Sequence, residues 1–540
     1  MKDERYKDIT VRMLFNHSSG LPGSTFYFGY IPDHEMHKLL LETLADEYLK
    51  YKPGAMSTYC NDGFTLAEIL VEKISHKKYM DFLKDNIFIP LDMENTGVSV
   101  GEINDKNIAD YYNNETGKKY PHEAITVYAA GGLSSTPTDL CKFGNSFTSK
   151  GKKILSDSSI KEILKSQPNE FSNKLRNKQF ISEFGWDYSS LAPYVEKGIQ
   201  VLGKGGNTPY YSANLQIIPY YGFTIALCIS GRVEGESLTR PILDSLMKEK
   251  KNIDTCVNHP KKPADAQEIP SELLKYQGFY AGENSAIKVE IDPANKNIKF
   301  HSLEEGNEKP EVQMTFIYNN GYLFDNENNI QCYFTTVENK SYVALYKIPT
   351  YGVDVIMYQK LGNINDPLNL MLDINNKVWL LKNAKPYILS EHVRLKKSII
   401  YKDLPGYINF CGIKKIETPS FASVAATCFR DQTELYLNKI NGNYLAKLGN
   451  NIFALSETAQ KAVKGTNIIK IGPANDNEWL YIEKAAVIDF KIPEKGRVIV
   501  LNSDKVLFDS IVDSGEIYAP SESYVFCAGR SGDNFKIFVN

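Results

Sequence analysis

Ile9-Thr-Val-Arg-Met-Leu-Phe-Asn-His-Ser-Ser-Gly-Leu-Pro-Gly23 is the stretch from which the rest of the chain can be organised. Thr10 to His17 reads as a short helical run with Val11, Leu14 and Phe15 apolar. Gly20 supplies a left-handed stop and Pro22 forbids continuation. Outward from it, Met36 to Leu49 carries Leu39, Leu40, Leu41 and Leu44 at helical spacing, and Phe64 to Ile74 repeats the pattern. Thr136-Pro-Thr-Asp139 is a helix start, with an N-cap, a proline at N1 and a carboxylate in the first turn. The strands come next. Ile199 to Leu202, Asn214 to Ile218 and Phe223 to Ile229 are separated by Gly/Pro/Tyr turns and suggest an antiparallel meander. Pro241 to Lys250 reads as a closing helix.

Past a polar, proline-bearing link, Asn258 to Asp265, the texture changes. Ile287–Ile291, Tyr322–Phe324, Cys332–Thr336 and Tyr342–Tyr346 are short alternating runs between Asn-rich turns, which predicts a small barrel or sandwich. Residues 363–540 look similar, ending in Lys536-Ile-Phe-Val539. The expected organisation is an α+β domain over 1–255, a linker over 256–268, a barrel or sandwich over 269–362 and a β-rich domain over 363–540.

Composition narrows the function. The chain has 540 residues with 62 basic and 65 acidic side chains, a formal net charge of −3. Such a balance offers no basic field for nucleic acid or an anionic membrane. Eight cysteines form no CxxC pair and have no His at zinc spacing, so neither a disulfide scaffold nor a metal site is expected. No apolar stretch approaches the roughly 20 residues of a membrane-spanning helix. Met1 to Asp8 has no signal-peptide h-region, which predicts a cytoplasmic location for the chain as written.

Two constellations carry chemistry. Tyr59-Cys60-Asn61 precedes a helix, where a bland reading makes Asn61 or Asp62 an N-cap. Lys204-Gly205-Gly206-Asn207 ends a strand, where a bland reading is a hairpin turn with a solvated lysine. Together they share a logic. A phenol becomes a base when cations favour its phenolate, and a lysine on a strand edge supplies one. Glycines let a substrate backbone lie against the strand, and an asparagine can bond a substrate amide.

The landmarks, in order, resemble those of the β-lactamase-related serine hydrolases, the class C β-lactamase, D-alanyl-D-alanine carboxypeptidase and esterase group. Asn16-His-Ser-Ser-Gly-Leu21 is similar to the His-Thr-Ser-Gly-Leu signature, and Tyr59-Cys-Asn61 to the Tyr-x-Asn element. Phe88 to Gly97 resembles the Pro-Leu-Gly-Met turn, and Ala130 to Thr136 and Lys204-Gly-Gly206 follow in order. The resemblance covers residues 5–250. It implies an antiparallel sheet flanked by helices and acyl transfer on a peptide, β-lactam or ester. Tyr59 and Lys204 would be catalytic, Asn61, Gly205, Gly206 and Asn207 would bind substrate, and no cofactor or metal would be needed. His17 is required by neither the chemistry nor the resemblance and is expected to bond loop backbone.

The family's Ser-x-x-Lys motif, one helical turn carrying nucleophile and lysine, lies upstream of the histidine signature in relatives. Here that pattern occurs only downstream, at Ser75/Lys78, Ser149/Lys152, Ser158/Lys161, Ser245/Lys248 and Ser285/Lys288. The expectation is a truncated fold, inactive alone and lacking the first strands of its sheet, with an unpaired edge, an uncovered apolar face and poor stability. The longer family member would act outside the cytoplasm. The alternative is a non-catalytic peptide-binding protein. Oligomeric state is not legible. Tyr276-Gln-Gly-Phe-Tyr280 resembles the opening of lipocalin-like domains, expected to give structural support.

Overall fold

The computed structural model describes all residues except 99, 101–106, 178–182, 256–262, 264, 304–310, 326–329, 349–350, 363, 365–370, 474–475 and 504. The expected link at 258–265 therefore lies, apart from residues 263 and 265, outside the described residues.

The elements from Glu4–Asp8 to Glu236–Lys251 mix helices and strands. Thr10 caps the Val11–Phe15 helix, its side chain accepting from the Met13 N–H. The left-handed turn comes earlier than expected, at His17 with φ 58° as well as at Gly20 with φ 80°. Gly20 has a second constraint, since a Cβ there would lie 2.5 Å from the Tyr51 carbonyl oxygen. The second helix, Met36–Asp46, stops short of Leu49, and the third, Asn61–Ser75, begins ahead of the apolar run. Thr136 caps Pro137–Asn145 as its sequence dictates. The last helix, Glu236–Lys251, starts before Pro241 and contains it.

Three antiparallel strands follow the order Leu202–Asn207, Tyr211–Ile218, Phe223–Ser230. The first strand starts where the expected one, 199–202, ends. Lys204-Gly-Gly-Asn207 is thus strand rather than strand end or turn, with Lys204 opposite Leu215 and Gly205 opposite Asn214. The expected uncovered apolar face is corrected. Leu140 and Phe143 of the Pro137–Asn145 helix pack with Leu202, Leu215 and Ile217. Leu243 and Met247 of the last helix pack with Ile218, Phe223 and Ile225 on the other side. Both faces are covered because consecutive side chains of a strand point to opposite faces and each meets a helix. The 223–230 strand has no partner strand on its outer edge among the described residues.

The second unit is an eight-stranded closed antiparallel barrel, in which each strand pairs with its sequence neighbours and Val355–Lys360 closes on Gly278–Ala281. The four expected runs are strands of it. Three runs that alternation did not mark, Asn297–Ser302, Glu311–Asn319 and Val355–Lys360, complete the ring with Gly278–Ala281. Its interior is filled by Tyr280, Val289, Phe300, Phe316 and Val343.

Beyond it lie an eight-stranded sheet between residues 377 and 455 and two sheets of five and four strands between 460 and 539. Trp379 and Phe410 of the large sheet share a core with Trp479 and Phe526 of the five-stranded one. Arg497 binds this assembly to the first unit. It is buried and ion-paired with Asp509, bonds the Ile388 carbonyl, and lies 5.2 Å over the Tyr30 ring.

Candidate active site

Tyr59 sits in the extended segment just ahead of the Asn61–Ser75 helix, and His17 fixes it from behind. The left-handed turn at His17 aims its ring so that Nδ1 accepts the Cys60 N–H at 2.9 Å and the imidazole stacks on the phenol ring, centroids 4.5 Å apart. The His17 carbonyl accepts from the Thr58 N–H and the Tyr51 hydroxyl. Burial, then the charge of Lys204, hold its imidazole far below the ordinary value, at about 3, so the ring is neutral at pH 7. His17 does what its expected backbone-bonding role required.

Lys204 projects from the edge strand toward the same phenol, with Nζ 5.5 Å from the Tyr59 ring centroid. Its partner is Asp187, whose Oδ1 accepts from Nζ at 2.7 Å while its Oδ2 accepts the Gly205 N–H at 2.8 Å. Burial opposes the ammonium charge, and the Asp187 carboxylate more than offsets it, holding Lys204 above the usual lysine value.

The glycines of this strand serve different ends. A Cβ at Gly206 would meet nothing within 4 Å, and one at Gly205 only the Asp187 carboxylate at 3.5 Å and the Asn214 amide at 3.9 Å. At Gly203, by contrast, a Cβ would lie 1.9 Å from the Tyr188 ring. Gly203 is needed for packing, whereas Gly205 and Gly206 leave the strand bare. Asn207, its amide oriented with the nitrogen donating, turns back to Ser212 Oγ at 2.9 Å and the Val233 carbonyl at 3.2 Å. Its side chain holds the hairpin.

Asn61 is the first helical residue and not a cap; Cys60 is the flanking residue and makes no side-chain cap bond. The Asn61 amide donates to Ser24 Oγ at 2.9 Å, and that hydroxyl donates to Asp431 Oδ1 at 2.8 Å. Asp62 accepts from the Thr25 N–H and hydroxyl, and burial raises its carboxyl to about 7.

Tyr59, Asn61, Lys204, Gly205, Gly206 and Asn207 all line one groove of about 1160 Å³. None of the five Ser-x-x-Lys pairs lines it. Ser75 ends its helix with Oγ on the Val71 carbonyl, and Ser158 and Ser245 lie on helices that pack elsewhere. Among the described residues no cluster of three or more His, Cys, Asp or Glu could hold a metal ion. No helix among them is long and apolar enough to cross a membrane.

Three groove residues escaped sequence reasoning: Asp187, Arg430 and Asp431. Arg430 places its guanidinium 4.7 Å from the Tyr59 ring centroid, on a loop of the large C-terminal sheet. No local motif could have joined residue 430 to residue 59.

Residues 1–244 match the family model Beta-lactamase. Penicillin-binding protein 4* of Bacillus subtilis (strain 168) is 32% identical over 114 residues, 20% of this chain and 25% of that protein. A beta-lactamase-like protein of Arthroderma benhamiae is 23% identical over 329 residues, 54% of this chain and 49% of that one. The chain thus spans a quarter to a half of the length of these curated relatives. Among solved structures, the octameric penicillin-binding protein homologue from Pyrococcus abyssi aligns with 18% identity and a TM-score of 0.35, over 66% of this chain and 81% of that one. With the order of its landmarks and the family match, the region of residues 1–244 is similar to the β-lactamase-related serine hydrolases.

Proposed function

We propose that the groove is the substrate-binding side of an acyl-transfer site for peptide, β-lactam or ester ligands, and that this chain alone binds such ligands without turning them over. The observation that carries the reading is the convergence of Tyr59, Lys204 and Asn61 on one groove beside a strand with two bare glycines. Tyr59 would move a proton at its hydroxyl, flanked by two cations. Lys204 would polarise the site. The 205–207 backbone would dock the ligand as an added strand and give the Asn207 N–H to a developing oxyanion. A nucleophile would come from a serine outside the five downstream pairs.

The inactive half of the reading has its own support. Asp187 already engages both the Lys204 ammonium and the Gly205 N–H, two groups an acyl substrate would use. A purely binding role, peptide held and not cleaved, draws on the same contact. The barrel would be lipocalin-like in kind and structural in role, because aromatic side chains fill its interior.

A fluorophosphonate probe tests this, since it labels an activated serine. The expected result is no adduct on this chain, together with saturable binding of a small acylated peptide that Lys204→Ala abolishes. A stoichiometric adduct on Ser75, Ser149, Ser158, Ser245 or Ser285 would overturn it.

A further inference from the structure

Tyr128–Gly132 is a single tight turn on the groove wall. The four N–H groups that follow Tyr128 are divided between two acceptors. Those of Ala130, Gly131 and Gly132 reach the Val127 carbonyl at 3.2, 3.1 and 3.2 Å, and that of Ala129 donates to Glu68 Oε2 at 2.8 Å. The turn packs so closely on what precedes it that a Cβ on Gly132 would lie 2.4 Å from the Ile125 carbonyl oxygen. One carboxylate of the Asn61–Ser75 helix thus closes a turn 61 residues away.

Glu68 is 1% exposed, and a buried carboxylate is costly unless its oxygens are bonded. Its second oxygen, Oε1, accepts from His37 Nε2 at 3.0 Å, on the Met36–Asp46 helix. The His37 side chain is 30% exposed, so one ring touches both solvent and the buried carboxylate. The charged groups facing it are Glu68, Glu72 at 3.8 Å from Nδ1, and Lys78 ahead of the Tyr79–Leu83 helix. The bond to Glu68 outweighs burial and holds the imidazole above its ordinary 6.5. On its own helix, Lys38 pairs with Glu35, the residue just ahead of Met36, and both are exposed. Glu72 takes the Tyr79 N–H at 3.0 Å. Glu68 also faces the Tyr79 phenol, which burial first and that charge second push up to about 12.

We propose that Glu68 is a positioning residue for this wall and His37 its proton switch, so that the groove holds its ligand-binding shape while His37 is protonated and loosens when it is not. The proposal rests on the groove being the acyl-ligand site proposed for it. Neither residue lines the groove; both act through the Ala129 N–H. With the ring charged, the bond from Nε2 is charge-assisted and pins the carboxylate with Oε2 toward Ala129. With the ring neutral that charge is gone, and two carboxylates, Glu68 and Glu72, face an uncharged group. Because the folded chain holds the proton more tightly than the unfolded one, the contribution is complete below about pH 6.5 and is lost as the pH rises through the folded midpoint.

The test uses the full chain and reads hydrogen–deuterium exchange over residues 125–133 as protection relative to the intrinsic rate at each pH. Wild type is expected to lose about fivefold in protection between about pH 6 and about pH 9, the difference between a charge-assisted and a neutral contact. The Arg497–Asn502 strand should keep its protection over the same range. The affinity for N-acetyl-glycyl-glycinamide, read by ligand-observed NMR, should weaken about fivefold in parallel. His37→Gln should remove both steps. Glu68→Gln keeps an acceptor for the Ala129 N–H without the charge and should hold the turn at one level across the range, whereas Glu68→Ala should leave it unprotected at both ends. A wild-type turn with no step in protection overturns the proposal, and that comparison needs no variant. A step that survives His37→Gln also overturns it. A step in protection with unchanged probe affinity overturns it too and leaves the groove reading standing. If wild type binds the probe at neither pH, the groove reading falls and its regulation falls with it.

Discussion

The barrel and the groove are built from the same kind of material, antiparallel strands rich in aromatic and β-branched residues, and they end in opposite states. In the barrel every strand has two neighbours, and the interior is closed by Tyr280, Phe300, Phe316 and their neighbours. At the groove the sheet has three strands among the described residues, glycines replace side chains on its edge, and each cation is paired with a carboxylate beside it. A closed ring has no backbone group to offer, whereas an edge strand presents a row of donors and acceptors. The groove strand therefore offers backbone groups that the closed barrel does not.

The comparison breaks first in the barrel. Phe300 is fully buried and packs against Phe316 at 4.7 Å. Phe300→Ala should cost about 3–5 kcal/mol by chemical denaturation, as large aromatic truncations do. The affinity of the groove for N-acetyl-glycyl-glycinamide should not move under conditions where the variant stays folded. A loss of binding in step with stability would mean that the barrel shapes the site.

Next come the two glycines of the groove strand. Gly203→Ala must displace the Tyr188 ring, whose hydroxyl bonds Glu236 at 2.7 Å. Overpacking of that kind costs about 1–3 kcal/mol. Gly206→Val adds its bulk to open space and should leave the thermal midpoint in place, while probe affinity falls at least about tenfold. The two variants lie on one strand and separate packing from function, one by stability and the other by binding.

Periodicity and caps made the helices legible. Thr136-Pro137 and Thr10 are local signals, and the structure uses both. The order of Tyr59-Cys-Asn61 and Lys204-Gly-Gly206 carried the two elements to one groove, because a folded family motif is a long-range statement in local form. Asp187 and Arg430 were illegible for the complementary reason. Nothing about Trp186-Asp-Tyr188 or Phe429-Arg-Asp431 marks them as partners of Lys204 and Tyr59, and only the folded chain brings them there. The strand at 202–207 was displaced because Gly203, Gly205 and Gly206 depress strand propensity, yet pairing with 211–218 overrides it. The covered sheet was missed on similar grounds, since a helix's choice of face is decided by tertiary packing.

His17 sharpens the comparison with pH, because His301 on the barrel's Asn297–Ser302 strand stays 13% exposed and faces Glu290, whereas His17 is buried without a carboxylate partner among the described residues. In the folded chain its value is lowered to about 3, against an ordinary 6.5. Between those values the unfolded chain binds the proton and the folded chain does not. The stability His17 contributes is therefore intact above about pH 6.5 and is lost as the pH falls toward 3. Relative to a His17→Gln variant, wild type should lose about 2 kcal/mol between pH 6.5 and pH 4.5, measured by urea unfolding. Parallel curves for the two proteins would remove His17 from the account.

The smallest effect concerns the sheet edge that a barrel architecture would have closed. Cys228 is an exposed free thiol on the 223–230 strand, opposite Ala213. A charge on an exposed edge opposes strand-to-strand association, while a substitution at an exposed position changes folding stability by no more than about 0.5 kcal/mol. Cys228→Glu should therefore leave the denaturant midpoint within that margin and lower the light scattering of concentrated samples under reducing conditions. An equivalent charge at exposed Val312 in the barrel should not change scattering, because its strand already has two neighbours. If both variants behaved alike, the open edge would not be what distinguishes the groove sheet from the barrel. The bare glycines and the Arg430 loop alone would then set the site apart.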